Sequence, residues 1–131
     1  MDLYKQQILD HYKNPRNFGQ IKNPDVKIEE ANSSCGDKLE LSLRIKQTTI
    51  KDVKFKGQGC AISIATASLL TEQIKGKKLK EVECLDKDDL FKLLTIKVNP
   101  GRVSCATLAL QAVKKSIKQY KEKVNLIKKA V

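Results

Sequence analysis

Three of the four cysteines lie at glycine-containing turns or at predicted helix starts, where a thiol is available for chemistry. Cys35 lies in NSSCGD, Cys60 follows GQG at the start of an apolar run, and Cys105 follows Pro100-Gly101 closely. Helix N-termini present unpaired N–H groups and a partial positive charge, so a thiol there ionises more easily. The thiolate is the form that binds metal or attacks sulfur.

The spacing of these cysteines does not match a zinc-finger pattern, because no CxxC pair occurs. Asp37 follows Cys35 with only Gly36 between them, and glycine permits a tight backbone that turns both side chains toward one ion. Any metal site containing Cys35, Asp37, Cys60 and Cys105 must therefore be assembled by the fold. Two alternatives remain open at this point: each cysteine as a small buried hydrophobe, and Asp37 as a turn or capping residue.

Cys84 and His11 are the two remaining residues with metal-ligand chemistry. Cys84 lies among charged residues in KEVECLDKDD without a glycine beside it, and we predict that it is a small buried hydrophobe. His11 lies in a helical pattern, far from the cysteines in sequence. Although histidine is a common metal ligand, we predict a structural or surface role for His11.

The first half of the chain predicts one helix followed by three strands. The range 3–13 has a helical pattern in which Tyr4, Ile8, Leu9 and Tyr12 form one apolar stripe. Strands are predicted over 26–31, 39–46 and 50–56, where apolar residues alternate with polar ones. Their short connections indicate an antiparallel meander.

The second half predicts helices. They cover 61–75, which is buried and ends at Gly76, then 86–97, and finally 103–123. The basic tail from about residue 124 is predicted to be loose. The predicted fold class is therefore α+β, with a three-stranded antiparallel sheet packed against about four to five helices in one domain spanning residues 1–131.

Composition indicates a soluble globular protein. The chain has 131 residues, 40% of them hydrophobic and 31% charged. No apolar run approaches the roughly 18 residues that span a bilayer, and the charged N-terminus lacks a signal-peptide core. We therefore predict a cytoplasmic protein without a membrane partner. In that compartment four cysteines indicate metal, redox or catalytic roles rather than disulfide bonds.

The formal net charge of +11 raises the question of a nucleic-acid partner. The lysines are spread along the chain and no aromatic residues are interleaved with them, so base stacking has little support. We predict a solvated lysine-rich surface rather than nucleic-acid binding. A third interpretation is that the positive field steers an acidic protein partner.

The chain resembles one known family in four ordered segments. These are YKQQILDHYKNPRNFG, NSSCGD, FKGQGCAISIATAS and RVSCATLALQAV, which are similar to the NifU-like iron–sulfur cluster scaffold proteins, including IscU and SufU. The similarity covers nearly the whole chain. The four blocks in order are far more specific than any one of them.

The resemblance implies a function and a site. Members receive persulfide sulfur from a PLP-dependent cysteine desulfurase, combine it with iron into a [2Fe–2S] cluster, and transfer the cluster to recipient apoproteins. Matching motifs imply the ligands Cys35, Cys60 and Cys105, with Asp37 as the nearby carboxylate that makes the cluster labile. Zinc often occupies the same site. Cys105 is the predicted persulfide acceptor, and Cys35 is the second candidate.

Departures from the family patterns leave two mechanisms open. Ser104 stands where IscU proteins have a histidine, whereas Arg102 gives the RxxC of SufU proteins without the SufU insertion. The first mechanism is a scaffold or carrier rather than a turnover enzyme; the alternative is a zinc-dependent sulfurtransferase that stimulates the desulfurase. VNPGR, residues 98–102, keeps only one proline of the chaperone-binding segment of IscU proteins, so an Hsp70-type chaperone is the least supported partner.

Overall fold

Three strands and five helices occupy the part of the chain that the structure, a computed structural model, describes: residues 3–32, 36–94 and 103–130. In chain order they are α1 (Leu3–Lys13), β1 (Val26–Asn32), β2 (Asp37–Lys46), β3 (Thr49–Gln58), α2 (Ala61–Ile74), α3 (Leu79–Glu83), α4 (Lys87–Leu94) and α5 (Val103–Ala130). The strands form one antiparallel sheet in the order β1-β2-β3. The predicted α+β class and meander are confirmed.

Strand β2 is the centre of the sheet, and its alternating sequence buries one face. The buried side chains of that face are Leu39, Leu41, Leu43 and Ile45. A two-residue turn joins β2 to β3, with positive φ at both Gln47 and Thr48, the combination that matches the twist of a hairpin. This short turn sets Lys46 opposite Thr49, and an irregularity between Arg44 and Ile45 then shifts the register by one residue, so that Lys38 lies opposite Gln58 at the far end.

Helices α2 and α5 cover the buried face of the sheet and contact each other. Residues of α2 are buried almost all round, from Ser63 to Thr71 and again at Ile74, because the sheet and other helices surround this helix. The buried stripe of α5 includes Ala106, Leu110, Val113 and Ile117, as predicted. The α2 helix therefore runs through the interior, and its ends are fixed relative to the strands.

The predicted helix ends are accurate for α2 and for the start of α4. Gly76 follows α2 with φ of 85°, a conformation that glycine adopts readily, and its N–H donates to the carbonyl of Ile50 at 2.8 Å. Asp86 precedes α4 and accepts a hydrogen bond from the Asp89 N–H at 2.9 Å, as an N-cap does. Residues 95–97, the predicted end of α4, lie outside the described residues.

The predicted apolar stripe of α1 is wrong in part. Ile8 is buried, but Leu9 and Tyr12 are 50% and 42% exposed, and His11 is buried beside Ile8. The side chain of Tyr4 lies outside the described part. Helix α1 packs on α2, where Ser68 supplies a hydrogen-bond partner for the His11 ring at 2.7 Å. This partner allows a polar residue to take the buried position, which agrees with a structural role for His11.

Two further expectations are corrected. Cys84 is exposed rather than buried, because it is the C-cap residue of α3, a short helix that the sequence did not predict. Helix α5 continues to Ala130 instead of ending at Lys123, so the described part of the predicted loose tail is helical.

No helix in the described ranges has both the length and the apolar character needed to cross a bilayer.

Candidate metal centre

Three separate elements bring Asp37, Cys60 and Cys105 to one place. Asp37 is the first residue of β2, and Cys60 is the N-cap residue of α2 directly after β3. Because Lys38 pairs with Gln58, the start of β2 lies beside the end of β3. Cys105 lies in the first turn of α5, which packs against α2. The sheet register and the contact between these helices therefore assemble the group.

The geometry of this group suits a metal ion. One ligand atom from each of Asp37, Cys60 and Cys105 lies within 4.8 Å of the other two. The Cys60 Sγ and the Asp37 Oδ2 are 3.9 Å apart. Metal–ligand lengths of about 2.3 Å for sulfur and about 2.1 Å for oxygen place these atoms about 3.6 Å apart in a tetrahedral site. A contraction of a few tenths of an ångström would therefore complete this edge of the coordination shell.

The chemistry of the donors narrows the choice of ion. Thiolates select zinc, copper(I) and iron–sulfur clusters, whereas carboxylate-rich sites favour magnesium and calcium. Two sulfurs and one carboxylate oxygen lie together here, so zinc or iron–sulfur chemistry fits the group. A closed tetrahedral site needs a fourth donor.

Burial differs among the three residues. Asp37 and Cys105 are each 2% exposed, whereas Cys60 is partly exposed. The Cys60 side chain is therefore more accessible to an external reagent than the Cys105 side chain in this conformation.

The buried carboxylate of Asp37 is held by hydrogen bonds from α2. The backbone N–H of Cys60 donates to Oδ1 at 3.0 Å, and the hydroxyl of Ser63 donates to Oδ2 in a short contact. The carboxylate also lies at the N-terminus of α2, where the helix dipole stabilises negative charge. Asp37 therefore caps the helix and faces the sulfurs at once.

The glycines of GQGC are explained by close approach of the backbone to β2. A Cβ on Gly57 would lie 2.1 Å from the carbonyl oxygen of Lys38, and a Cβ on Gly59 would lie 2.5 Å from the Asp37 Oδ1. Both distances are shorter than real contacts allow. Only glycine at these two positions lets the chain turn from β3 into α2 while packing against Asp37.

The environment of Cys60 favours its thiolate. Burial raises the pKa of the Cys60 thiol, and the nearby Asp37 carboxylate raises this pKa as well. Hydrogen bonds from the backbone N–H groups of Ser63 and Ile62 act against both effects, and the pKa of Cys60 lies below its usual value. This is the direction that metal binding or sulfur chemistry needs.

The structure brings together three of the four predicted site residues. The fourth, Cys35, lies outside the described residues, and so do Arg102 and the rest of the 98–102 segment. His11 is buried on α1 against Ser68, and the group of three includes neither His11 nor Cys84.

Ser63 belongs to the site but was not predicted. It is fully buried and its hydroxyl lies 3.6 Å from the Cys60 Sγ and 3.3 Å from the carbonyl oxygen of Cys105. Its position three residues after Cys60 on one helix was a usable signal, because residues at this spacing share a helix face.

The family model of the NifU-like N-terminal domain matches residues 3–126. The chain belongs to this family. Among its relatives is the zinc-dependent sulfurtransferase SufU of Bacillus subtilis, 35% identical over 88% of this chain and 89% of that protein. Another is the iron–sulfur cluster assembly scaffold protein IscU of Azotobacter vinelandii, 36% identical over 95% and 98% of the two chains.

Solved structures agree with the family fold. A candidate iron–sulfur cluster assembly scaffold protein for the SUF system from Fervidobacterium islandicum superposes with a TM-score of 0.72 at 30% identity, covering 86% of this chain and 94% of that chain. A NifU-like N-terminal domain from Brucella abortus has a TM-score of 0.80 at 20% identity, with 92% and 95% covered. The second similarity supports the fold alone.

Proposed function

We propose that this NifU-like protein is an iron–sulfur cluster assembly scaffold. It accepts persulfide sulfur from a cysteine desulfurase, binds iron, builds a [2Fe–2S] cluster as cargo and transfers it to apoproteins. The observation that carries the proposal is the convergence of Asp37, Cys60 and Cys105 within 4.8 Å at the meeting point of β2, α2 and α5. The IscU relatives, described as scaffolds, support the same function.

The proposed ligand set is Cys35, Asp37, Cys60 and Cys105. Cys35 precedes Asp37 by two residues in the sequence, and we propose it as the fourth donor. Three thiolates hold iron firmly, and the hard carboxylate oxygen holds it less firmly. This mixed set suits a carrier that must release what it builds.

Sulfur enters by thiol exchange. The thiolate of the accepting cysteine attacks the terminal sulfur of the desulfurase persulfide, a new S–S bond forms on the scaffold, and the desulfurase cysteine leaves as its thiolate. We propose Cys105 as the acceptor, which requires that its buried sulfur becomes exposed when the desulfurase docks, with Cys35 as the second candidate. Reduction of this sulfur to sulfide takes two electrons from an external thiol or ferredoxin-type donor.

Anaerobic reconstitution tests the scaffold function. The protein is incubated with a cysteine desulfurase, cysteine, ferrous iron and dithiothreitol, and cluster absorbance and acid-labile sulfide are measured. We expect both to appear in the wild type and to disappear in the Cys35→Ser, Cys60→Ser, Cys105→Ser triple variant. Cys84→Ser is the matched control, because Cys84 is exposed on α3. A triple variant that still assembles the cluster would refute the ligand set.

Transfer to an apo-ferredoxin tests the role of Asp37. We expect Asp37→Ala to slow cluster release, since replacing the weak oxygen donor removes the labile position. The rate is followed by the circular dichroism of the recipient. An unchanged rate for a variant that loads a full cluster would contradict this role.

A zinc-dependent sulfurtransferase is the second candidate function. Its support is the 35% identical SufU relative together with a donor group that fits zinc. In this case the zinc-loaded protein strongly stimulates the desulfurase and transfers no cluster. Measuring desulfurase turnover and cluster transfer with the same zinc-loaded sample separates the two functions.

We propose a cytoplasmic location and a single functional domain spanning residues 1–131. Thiols that bind metal must stay reduced, and the cytoplasm provides that condition. The proposed partners are the desulfurase and recipient apoproteins. An Hsp70-type chaperone is the least supported partner, because the segment 98–102 keeps only one proline of the chaperone-binding segment of IscU proteins.

A further inference from the structure

The hydroxyl of Ser63 touches all three residues of the candidate metal centre. It donates to the Asp37 Oδ2, lies 3.6 Å from the Cys60 Sγ and lies 3.3 Å from the carbonyl oxygen of Cys105. Ser63 is 0% exposed. A buried hydroxyl in this position is surrounded by the atoms that would hold an ion.

This hydroxyl has only one proton, so it donates to one acceptor at a time. The carboxylate is the strongest of the three acceptors, because hydrogen bonds to charged groups are shorter and about twice as strong as neutral ones. The geometry agrees, since the contact to Asp37 is the shortest of the three. Ser63 therefore acts first on Asp37.

The two hydrogen bonds to Asp37 fix the rotation of its carboxylate. The Cys60 N–H holds Oδ1 at 3.0 Å, and the Ser63 hydroxyl holds Oδ2. A carboxylate oxygen has a second lone pair, and Oδ2 lies 3.9 Å from the Cys60 Sγ. The carboxylate is therefore held with one oxygen near the sulfurs before any ion arrives.

We propose that Ser63 is a positioning residue, which keeps Asp37 in its metal-binding orientation. The inference deepens the proposed function and rests on Asp37 and the cysteines as its donor set. Partners that orient a ligating side chain typically contribute 10- to 100-fold to metal affinity. Ser63 makes no bond to the ion and acts through the carboxylate.

The zinc affinity of the purified 131-residue chain tests this role. Competition with a chromophoric chelator under anaerobic conditions gives the Kd for each variant. We expect Ser63→Ala to raise the zinc Kd by about 10- to 100-fold. Ser63→Thr, which keeps a hydroxyl, should restore much of the affinity. Ser68→Ala is the matched control, because Ser68 is also 0% exposed on α2 but bonds to His11; its zinc Kd should stay unchanged.

A double-mutant cycle separates positioning from simple packing. If Ser63 acts through Asp37, the Asp37→Ala variant and the Asp37→Ala, Ser63→Ala variant should have equal zinc affinities. An equal loss from Ser63→Ala in both backgrounds would overturn the inference, because the serine would then act on a sulfur or on the fold. Thermal unfolding of each variant shows that the comparison is made between folded proteins.

The outcomes also separate this inference from the proposed function. A Ser63→Ala variant with the zinc Kd of the wild type overturns the positioning role and leaves cluster assembly untouched. A serine-dependent zinc Kd in a protein that assembles no cluster supports the positioning role and overturns the scaffold function. A wild type that binds no zinc overturns the donor set and the positioning role together.

Discussion

The Gly59→Ala substitution changes the candidate metal centre by adding a single methyl group. The new Cβ would lie 2.5 Å from the Asp37 Oδ1 and 2.8 Å from its Cγ. Ordinary contact begins at 3.4 Å, so the carboxylate must move by about 0.9 Å. Because the Asp37 side chain rotates more easily than the hydrogen-bonded backbone of β2 shifts, the carboxylate turns away before the strand moves.

The magnitude follows from the hydrogen bonds that this rotation breaks. Oδ1 loses the Cys60 N–H, and a hydrogen bond to a charged group contributes about 1.5–3 kcal/mol to the free energy of unfolding. Replacing glycine by alanine also lowers the conformational entropy of the unfolded chain, which raises the free energy of unfolding by about 0.4–1 kcal/mol. We expect a net destabilisation of about 1–2 kcal/mol and, because a ligand orientation is lost, a zinc Kd at least about tenfold higher.

Gly76→Ala provides the matched control. Gly76 has φ of 85°, and a Cβ added there would meet no atom within 4 Å, so alanine is strained by about 1–2 kcal/mol without a collision. It follows the C-terminal end of α2, about 20 Å from the N-terminus of this helix. Chemical denaturation should show similar losses for both variants, whereas chelator competition should show weaker zinc binding for Gly59→Ala only. Equal zinc affinities in the two variants would refute the reasoning.

Two further predictions concern the fold around the site. Burial lowers the pKa of His11, and the charge of Arg16 lowers it further against the opposing carboxylates of Glu72 and Asp10. As the pH is lowered below about 6.5, the unfolded state therefore takes up a proton on His11 before the folded state does. The free energy of unfolding should then decrease by up to about 1.4 kcal/mol for each unit of pH that is removed. Urea titrations at several pH values should show this decrease for the wild type and not for His11→Gln. Leu108→Ala, at a position 1% exposed, should cost about 2–5 kcal/mol, seen as a lower urea midpoint at an unchanged m-value.

The parts of the fold with strong periodicity were predictable from the sequence. Strand β2 alternates without interruption, and α5 keeps its apolar spacing through several turns, so both were assigned from local pattern alone. Helix α3 was not predictable in this way. It has five residues, and tertiary contacts support it: the Leu79 N–H donates to the carbonyl of Thr48, and the Ile50 N–H donates to the carbonyl of Lys77.

The burial of α1 and the role of Ser63 were missed for a shared reason. In α1, Leu9 and Tyr12 resemble core residues, but the position of Ser68 on α2 decides that His11 is buried instead. Ser63 resembles an ordinary helix serine until β2 places Asp37 beside it. A local pattern carries no information about a polar partner that is distant in the chain. Asp37, Cys60 and Cys105 were singled out by their place at glycine-containing turns and predicted helix starts, and the resemblance then joined them into one ligand set.

Because the three donors come from different elements, binding of an ion would affect the stability of the whole fold. An ion shared by the first residue of β2, the N-cap of α2 and the first turn of α5 would add a bond between segments that packing and the hydrogen bonds of Asp37 and Ser63 already join. A ligand at a thousand times its Kd stabilises the folded state by about 4 kcal/mol. The protein with an ion bound is therefore expected to unfold at a higher denaturant concentration than the same protein without the ion.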